Sequence, residues 1–545
     1  MTGSLLMGLY GCSAAENTVA VDTQQQETTQ ESLEPVTFTF YSADGLEDTW
    51  TDPVAQMITE KTGVTLKMDY PADSNDNRIE LMVATGEYPD FVFAKGSVST
   101  LIRNDALIDM SDLIDEYGPN IKKLYGDEYE NLRYSSEDPS IYQLCSDKVQ
   151  EENLETSGTA QLQWAVLQDQ YRVPYTLEEY TQMIRDYMEK YPMINGKPAI
   201  GISIVCSDWH WYTMLSNPSG YMNGSADNGQ WIVDDEKQEV YYKHAADGQK
   251  EYYKWLNEMY NEGILDPEFA TQTHEDFVLK VAEGRVLGLL DEEWDYTGAE
   301  ISLRADGQEE HTYAGLPVTI DRSVKCPSLK QQNLAVGWGI GITKSCKDPV
   351  RAVRFLDWLC SDEAQILLNW GIEGVDYYYD ENGKRCITEE DLEASRKDTN
   401  YSERTGVGFR VYPYPSYGNQ SVDSTGNSYS KSSREMVKEG YDEMEKEALK
   451  AWNVDMLTDI FPQKEEFSKD AYSPLWAMTL PDELEKMLVA LDNVSWKGLI
   501  ECVVSPADDF DAKWDELQQN LKDAGLEKAD REMTALLRDE ISRRE

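Results

Sequence analysis

The amino-acid sequence predicts an α/β protein with two or more lobes and a helical C-terminal region. Predicted strands and helices alternate along the first part of the chain, which indicates a sheet covered by helices. The length of 545 residues exceeds what one hydrophobic core usually organises, so more than one lobe is expected. Helical patterns then dominate the C-terminal part of the chain.

The first region has the pattern of a parallel sheet with crossover helices. Its predicted strands are "VTFTFY" (36–41), "VTLKMDY" (64–70) and "DFVFA" (90–94). A helix between the first two strands begins with Asp52 as N-cap and Pro53 at its first position, and Gly63 ends it. A second helix ends at Gly86. This order of elements predicts parallel pairing with right-handed crossovers.

A second α/β region starts near Leu162. Its predicted strands are "LQWAVL" (162–167) and "RVLGLL" (285–290), and a further strand, "LAVGWGIGIT" (334–343), follows later in the chain. Predicted helices begin at a capping box formed by Thr176 and Glu179, at about Gln249, and at Asp348 as N-cap. No internal sequence repeat accompanies the two regions.

Composition and charge exclude several classes of function. The chain has 49 basic and 102 acidic residues, and its formal charge of -53 repels nucleic acid and anionic lipid headgroups. Since no run of about 18 apolar residues occurs, no membrane-spanning helix is predicted. Seven cysteines beyond Cys12 are scattered without a CxxC pair, which predicts neither a disulfide framework nor a zinc site. Most of them are expected to be small buried side chains.

The N-terminal residues contain a candidate lipidation site. "LLMGLYGC" ends in Cys12 after a short apolar stretch and resembles the end of a bacterial lipoprotein signal, although no Lys or Arg precedes it. We therefore expect residues 1–12 to be a truncated lipoprotein signal. Residues 13–35 are rich in Gln, Thr, Ser and Glu, a composition typical of a disordered tether. An incidental Cys in a disordered N-terminus is the alternative.

Enzyme and metal signatures are absent from the sequence. The four histidines (210, 244, 274 and 311) lack metal-ligand spacing, no GxSxG or P-loop occurs, and "GWGIGITK" lacks the spacing of a dinucleotide-binding turn. A pair of glycosidase-like carboxylates is unsupported by any motif. No catalytic residue, cofactor or metal ion is predicted.

A near match to a calcium loop occurs at "YYDENGKRCITE" (378–389). Asp380, Asn382, Gly383 and Glu389 fit loop positions, but Tyr378 stands where the first Asp should be. An Asn-Gly turn joining two strands explains the same residues more simply, and we prefer it.

The order of several segments resembles the extracellular solute-binding proteins of ABC importers, in the family that includes the maltose-binding protein and in its lipoprotein-type subgroup. The segments are "ITEKTGVTLKMDY", "LMVATGEYPDFVFA", "LIDMSDLIDEYGPNI", "KWLNEMYNEGILDPEFAT" and "GIGITKSCKDPVRAVRFLDWLCSDEAQILLNWGIEGVDYYYDENGK". The resemblance implies a periplasmic-binding-protein-like (type II) fold whose two lobes close around a ligand through a hinge. It assigns residues 36–150 and 310–360 to an N-lobe, and residues 151–309 and 361–545 to a C-lobe.

Aromatic and polar residues at strand ends are the candidate ligand-binding residues. Carbohydrate sites combine Trp or Tyr rings, which stack on sugar C–H groups, with polar side chains that bind the hydroxyl groups. Ligands of doubly wound sheets lie at the carboxyl ends of strands. The resemblance supports Trp294 in particular, since the family often stacks a sugar at this position. The candidates are Asp44, Trp50, Lys95, Trp209, Trp211, Glu292, Trp294 and, with less support, Trp338.

These patterns predict a binding protein that catalyses no reaction. It is expected to be a monomer at the cell surface, anchored by lipid to the outer face of the cytoplasmic membrane. Its expected partners are a carbohydrate, specifically a neutral oligosaccharide, and the membrane permease subunits of an ABC importer. The alternatives are a binding protein for a peptide or other non-sugar solute, and a secreted enzyme acting on polysaccharide.

Overall fold

The fold is described from a computed structural model that covers residues 34–44, 47–71, 77–154 and 158–544. The predicted signal, Cys12 and nearly all of the predicted tether lie outside these described residues. Within the described ranges, no helix combines the length and the apolar character needed to cross a membrane.

Strands and helices alternate along most of the described chain. The strands are β1 Val36–Ser42, β2 Val64–Asp69, β3 Phe91–Phe93, β4 Leu144–Cys145, β5 Lys148–Val149, β6 Thr159–Gln163, β7 Met193–Ile194, β8 Lys197–Pro198, β9 Ile200–Ser203, β10 Trp231–Asp234, β11 Glu239–Tyr242, β12 Val286–Asp291, β13 Tyr313–Leu316, β14 Gly339–Ile342, β15 Tyr378–Tyr379, β16 Arg385–Cys386 and β17 Ser416–Tyr417. The helices are α1 Pro53–Thr62, α2 Arg78–Thr85, α3 Val98–Arg103, α4 Ser111–Tyr117, α5 Pro119–Tyr125, α6 Trp164–Gln170, α7 Leu177–Lys190, α8 Asn217–Tyr221, α9 Gln249–Glu262, α10 His274–Ala282, α11 Glu293–Ala305, α12 Pro349–Leu359, α13 Asp362–Trp370, α14 Glu389–Lys397, α15 Tyr401–Thr405, α16 Arg434–Gly440, α17 Glu443–Trp452, α18 Asp482–Val504, α19 Phe510–Asp523 and α20 Leu526–Arg544.

The first sheet has the strand order β2-β1-β3-β14-β4. β1 runs parallel to both β2 and β3, as the alternating pattern predicts, and α1 connects β1 to β2. Its helix ends also agree with the prediction: the Asp52 carboxylate accepts a hydrogen bond from the Ala55 N–H, and Gly63 ends α1 with φ of 70°. β14 then pairs antiparallel with β3 and β4, so the sheet is mixed.

The second sheet has the strand order β13-β6-β12-β9. β12 runs parallel to β9, whereas β6 is antiparallel to β12 and β13. All six residues of β12 are buried. The Thr176 hydroxyl caps α7 by accepting from the Glu179 N–H, as the capping-box pattern predicts. The helices α17–α20 form the predicted helical C-terminal region.

Two predicted strands are shorter in the structure than in the sequence pattern. Within residues 162–167, β6 ends at Gln163 and the apolar run continues as helix α6, because a short buried run fits a strand or a helix equally well. Within residues 334–343, only β14 is a strand. Gly337 lies in the preceding loop, where an added Cβ would come within 1.6 Å of the Ala477 carbonyl oxygen, so only glycine fits this approach.

Two large hydrophobic cores are built around the two sheets, and the chain passes between them three times. The passages lie between residues 149 and 160, between 329 and 334, and between 429 and 444. The structure therefore differs from the expected lobe assignment in two places. β13, inside 310–360, belongs to the second sheet, and residues 367–429, inside 361–545, contribute side chains to the first core.

The smaller motifs agree with the simpler predictions. β15 and β16 pair antiparallel around the turn containing Asn382 and Gly383, which is the predicted Asn-Gly hairpin. Six of the seven described cysteines are buried and all seven are free thiols, as their spacing predicts.

Candidate functional site

An exposed pair of stacked tryptophans lies at the carboxyl-end edge of the second sheet. Trp209 follows β9 and is 43% exposed, and Trp294 follows β12 and is 59% exposed. Their rings are 6.2 Å apart between centroids and inclined by 12°. Beside them, Glu292 accepts a hydrogen bond of 2.8 Å from the Tyr221 hydroxyl. The structure thus brings three of the predicted ligand residues into one place.

A second group of predicted residues lies beside the first sheet. The Lys95 ammonium is 2.8 Å from the Asp44 carboxylate and 4.7 Å from the centroid of the Trp338 ring, a cation–π distance. The Tyr412 hydroxyl donates to the other Asp44 oxygen at 2.6 Å. Lys95 has φ of 49°, a left-handed conformation that a lysine rarely adopts, and these contacts hold it there.

Trp476 belongs to this second group, although the sequence pattern gave no reason to select it. Its ring contacts Trp338 edge-on at 4.5 Å between centroids. The indole N–H groups of both tryptophans are buried and lack a hydrogen-bond partner. A group that reached either N–H would satisfy a donor that the protein leaves unused.

Two predicted site residues are instead buried in the cores. Trp50 is 7% exposed, donates its indole N–H to the Thr59 hydroxyl and stacks against Arg410. Trp211 is 2% exposed and lies parallel to Trp496. In an extended strand Trp209 and Trp211 would point the same way, but this segment is a turn that leads into a π-helical turn, so the two side chains diverge.

A cavity of about 920 Å³ lies between residues of the two cores. Tyr125 and Val149 reach it from the first core, and Leu329 from the second. Trp294 and Trp476 both lie in its wall, so the cavity contacts both groups of candidate residues. Residues 147–153 and 329–334, at two of the passages of the chain between the cores, form a large part of the remaining wall.

Charges in the cavity wall nearly balance, in contrast to the whole chain. Six carboxylates and five cationic side chains line it: Asp127, Glu128, Asp147, Glu151, Glu152, Glu465, Lys148, Lys330, Arg434, Lys464 and Lys469. Several are paired; Arg434, for example, lies 3.1 Å from Glu152. Burial would raise the pKa of Glu152, but the contacts with Arg434 and Lys464 hold that pKa below its ordinary value.

A cluster of two histidines and a carboxylate lies directly behind the tryptophan pair. His210, His274 and Asp295 come together from three elements that are far apart in the sequence, which is why ligand spacing could not reveal them. Burial would lower the pKa of His210, but Asp295 and Asp208 raise it above its ordinary value. Burial would raise the pKa of Asp295, and the two histidines hold it low. The neighbouring Asp291 is fully buried, so burial and the Asp295 charge raise its pKa strongly.

Comparison with known proteins identifies the fold. The chain is similar to lipoprotein LipO of Bacillus subtilis, with 22% identity over 346 residues, and it spans 64% of the length of that protein and 60% of its own. Among solved structures, the alginate-binding protein AlgQ2 superposes with a TM-score of 0.65 at 18% identity, covering 93% of this chain and 98% of AlgQ2. FusA of S. pneumoniae in complex with kestose superposes with a TM-score of 0.64 at 16% identity, covering 93% of this chain and all of FusA. The predicted two-lobed, periplasmic-binding-protein-like fold class is thereby confirmed.

The family follows from the sequence itself. The model of the family described as "Bacterial extracellular solute-binding protein" matches residues 54–370, which is more than half of the chain. These residues include most strands of both sheets and five of the predicted site residues that the structure leaves in the two candidate groups, so the match extends over the region that builds the site. The chain therefore belongs to the bacterial extracellular solute-binding protein family, as the order of its sequence segments predicted.

Proposed function

We propose that this chain is the substrate-binding component of an ABC importer, and that it captures a neutral oligosaccharide between two lobes and delivers it to membrane permease subunits. It acts as a monomer at the outer face of the cytoplasmic membrane, anchored through a lipid on Cys12, and it catalyses no reaction. The observation that carries the proposal is the 920 Å³ cavity with tryptophans from both candidate groups in its wall.

The lobes of this proposal follow the two hydrophobic cores. The first lobe comprises about residues 36–149 and 334–429, and the second about residues 160–329 and 444–544. A ligand held by both lobes binds the closed arrangement more tightly than the open one and shifts the population toward closure. The permease then distinguishes the closed, loaded form from the open form.

The chemistry of the cavity wall supports a sugar. The exposed face of Trp294 in the wall offers apolar surface for sugar C–H groups, and Trp209 stacks beside it outside the wall. Side-chain amides provide donors and acceptors for hydroxyl groups, and those lining the cavity are Gln150, Asn153, Gln331, Gln332, Asn333, Gln420 and Gln463. The cavity volume lies in the upper range for small-molecule sites, which suits more than one sugar ring.

The balance of charge in the wall supports a neutral ligand. With six acidic and five basic groups, the cavity has no excess of positive charge that could attract a polyanionic glycan. The overall charge of -53 repels such a glycan. Two similar structures support a carbohydrate in general, since one is named alginate-binding and the other is in complex with kestose.

Calorimetry of the full chain against neutral oligosaccharides, uronic-acid oligosaccharides and peptides, each at two salt concentrations, tests the proposal. We expect a neutral oligosaccharide to bind with an affinity that changes little with salt, because an uncharged ligand has no electrostatic attraction to the protein that salt could screen. Tight, salt-sensitive binding of a uronic-acid oligomer would show that the ligand is charged, and it would leave the carbohydrate assignment intact. Binding of a peptide without any response to sugars would overturn the carbohydrate assignment, and breakdown of a bound glycan would identify an enzyme.

A further inference from the structure

The ligand atoms of His210, His274 and Asp295 lie within 4.8 Å of one another. Asp295 Oδ1 is 2.9 Å from His274 Nε2 and 3.6 Å from His210 Nε2. Two ligands on one tetrahedral zinc ion, at bond lengths of about 2.1 Å, are separated by about 3.4 Å. The two measured separations lie on either side of this value. The rings of His210 and His274 are stacked at 4.2 Å between centroids, so one imidazole must turn for both nitrogens to reach the same ion.

Each of the three residues is positioned by an ordered element. His210 lies in the turn after β9, His274 is the first residue of α10, and Asp295 lies in the first turn of α11. The start of α10 is fixed by a capping box in which Thr273 and Asp276 bond each other's backbone N–H groups. A site built on such elements is preorganised for a ligand.

The surroundings of the cluster have the features of a metal site. His210 Nδ1 lies 2.5 Å from a carboxylate oxygen of Asp208, a contact that places the proton on Nδ1 and leaves the Nε2 lone pair directed at the cluster. Carboxylates commonly orient metal-binding histidines in this way. His274 Nε2 already faces Asp295 Oδ1 at 2.9 Å, so these two groups point at each other across the cluster.

We propose that His210, His274 and Asp295 bind one zinc ion, with Asp208 as the positioning residue for His210. Two imidazole nitrogens favour zinc over calcium or magnesium, which prefer oxygen ligands. Three protein ligands leave a fourth position open to water or another donor. The side chain of His274 is 27% exposed, which gives the ion a path from solvent.

The ion connects to the tryptophan pair through direct contacts. The His210 ring stacks on Trp209 at 3.9 Å between centroids, and Asp295 follows Trp294 in the chain. Coordination of His210 and Asp295 therefore restrains the residues adjacent to both indole rings. The role of zinc is to hold the binding surface in place, and it requires no reaction at the metal.

Zinc binding is measured on the untagged full chain after chelation and dialysis, by titration with zinc sulfate against a chromogenic chelator and by cobalt(II) absorption. His274→Gln removes one ligand, and His311→Gln is the matched control, since His311 hydrogen bonds Gln163 away from the cluster. We expect one equivalent of zinc, with a tetrahedral cobalt spectrum, for the native chain and for His311→Gln. His274→Gln should weaken zinc binding at least about 100-fold, and Asp208→Asn about 10- to 100-fold.

Absence of stoichiometric zinc binding, or equal binding by His274→Gln and the native chain, would overturn the proposal. Binding of calcium in preference to zinc would overturn it as well. Asp208→Asn tests the same site if His274→Gln does not fold, as judged by circular dichroism. Since zinc itself is the probe, the result is independent of whether the ligand is a sugar.

Discussion

The indole rings of Trp209 and Trp294 lie nearly parallel, 6.2 Å apart between centroids, although each follows a different strand. The two strands, β9 and β12, are parallel neighbours in the second sheet, so their carboxyl ends meet at one edge. Sheet topology therefore brings together two exposed rings from distant parts of the sequence. Exposed aromatic pairs of this kind are typical of surfaces that bind ligands.

Replacing Trp294 with Ala should weaken oligosaccharide binding by roughly 1 to 3 kcal/mol, because a stacking surface is lost. The melting temperature of the ligand-free protein should change little, since the side chain is mostly exposed. Calorimetry and thermal melts of the same preparations check both values. Tyr378→Ala removes an exposed ring from the β15–β16 hairpin and is the control. Lower stability with unchanged affinity would instead assign Trp294 to structure.

Replacing Arg410 with Met should destabilise the first core by about 3 to 5 kcal/mol. The buried Arg410 guanidinium donates two hydrogen bonds of 2.6 Å to Asp48 and further bonds to Asp52, so its loss leaves two buried carboxylates unpaired. Denaturant unfolding measures the effect. Arg322→Met, which removes an exposed partner of Glu179, should cost less than about 1 kcal/mol. Equal losses of unfolding free energy in the two variants would contradict the argument that the Arg410 ion pairs matter because they are buried.

Asp492 should make stability depend on pH in a direction opposite to that of most carboxylates. Burial raises the pKa of Asp492 from 3.8 to about 6, although hydrogen bonds from Tyr242 and Tyr212 oppose the shift. Between these values the folded protein holds the proton more tightly than the unfolded chain, so this stabilisation is complete below pH 3.8 and is lost as pH rises through 6. Relative to Asp492→Asn, the native chain should lose about 2 kcal/mol of unfolding free energy between about pH 4.5 and 7.5. Urea unfolding at several pH values measures this difference, and a pH-independent difference would contradict it.

Cys12 should carry a lipid in protein extracted from membranes of the native host. The "LYGC" sequence and the polar residues that follow it motivate this expectation. Intact-mass analysis should show an N-terminal, lipid-modified Cys12, and Cys12→Ser should release the protein from the membrane fraction. An unmodified peptide spanning Gly11 to Ser13 as the main species would contradict lipidation.

Much of the fold could be predicted because local signals are strong where they agree with packing. The N-cap Asp52 and the stop at Gly63 satisfy backbone groups within a few residues, and the alternation of β1 agrees with its place in the sheet. The return of residues 367–429 to the first core depends instead on long-range contacts, such as Arg410 with Asp48, that leave no local pattern. Lobe boundaries were accordingly the least accurate part of the prediction.

The candidate site was predictable only where a residue follows a strand end. Trp294 and Lys95 satisfy this rule and lie in the two candidate groups, whereas Trp50 follows its strand at a distance and turns into the core. Trp476 and His274 come from segments with no strand before them, and their roles depend on tertiary contacts alone. Spacing rules for histidine ligands assume nearby positions and therefore missed the cluster.

The threefold passage of the chain between its cores also determines when the protein can fold. The first core is complete only when Tyr429 is available, and the second only when Ile541 is available, which is almost the end of the chain. Neither core can therefore close while the ribosome is still making most of the protein, in contrast to domains that fold one after another during synthesis. A nascent chain of this kind therefore exposes apolar side chains of both cores until late in synthesis.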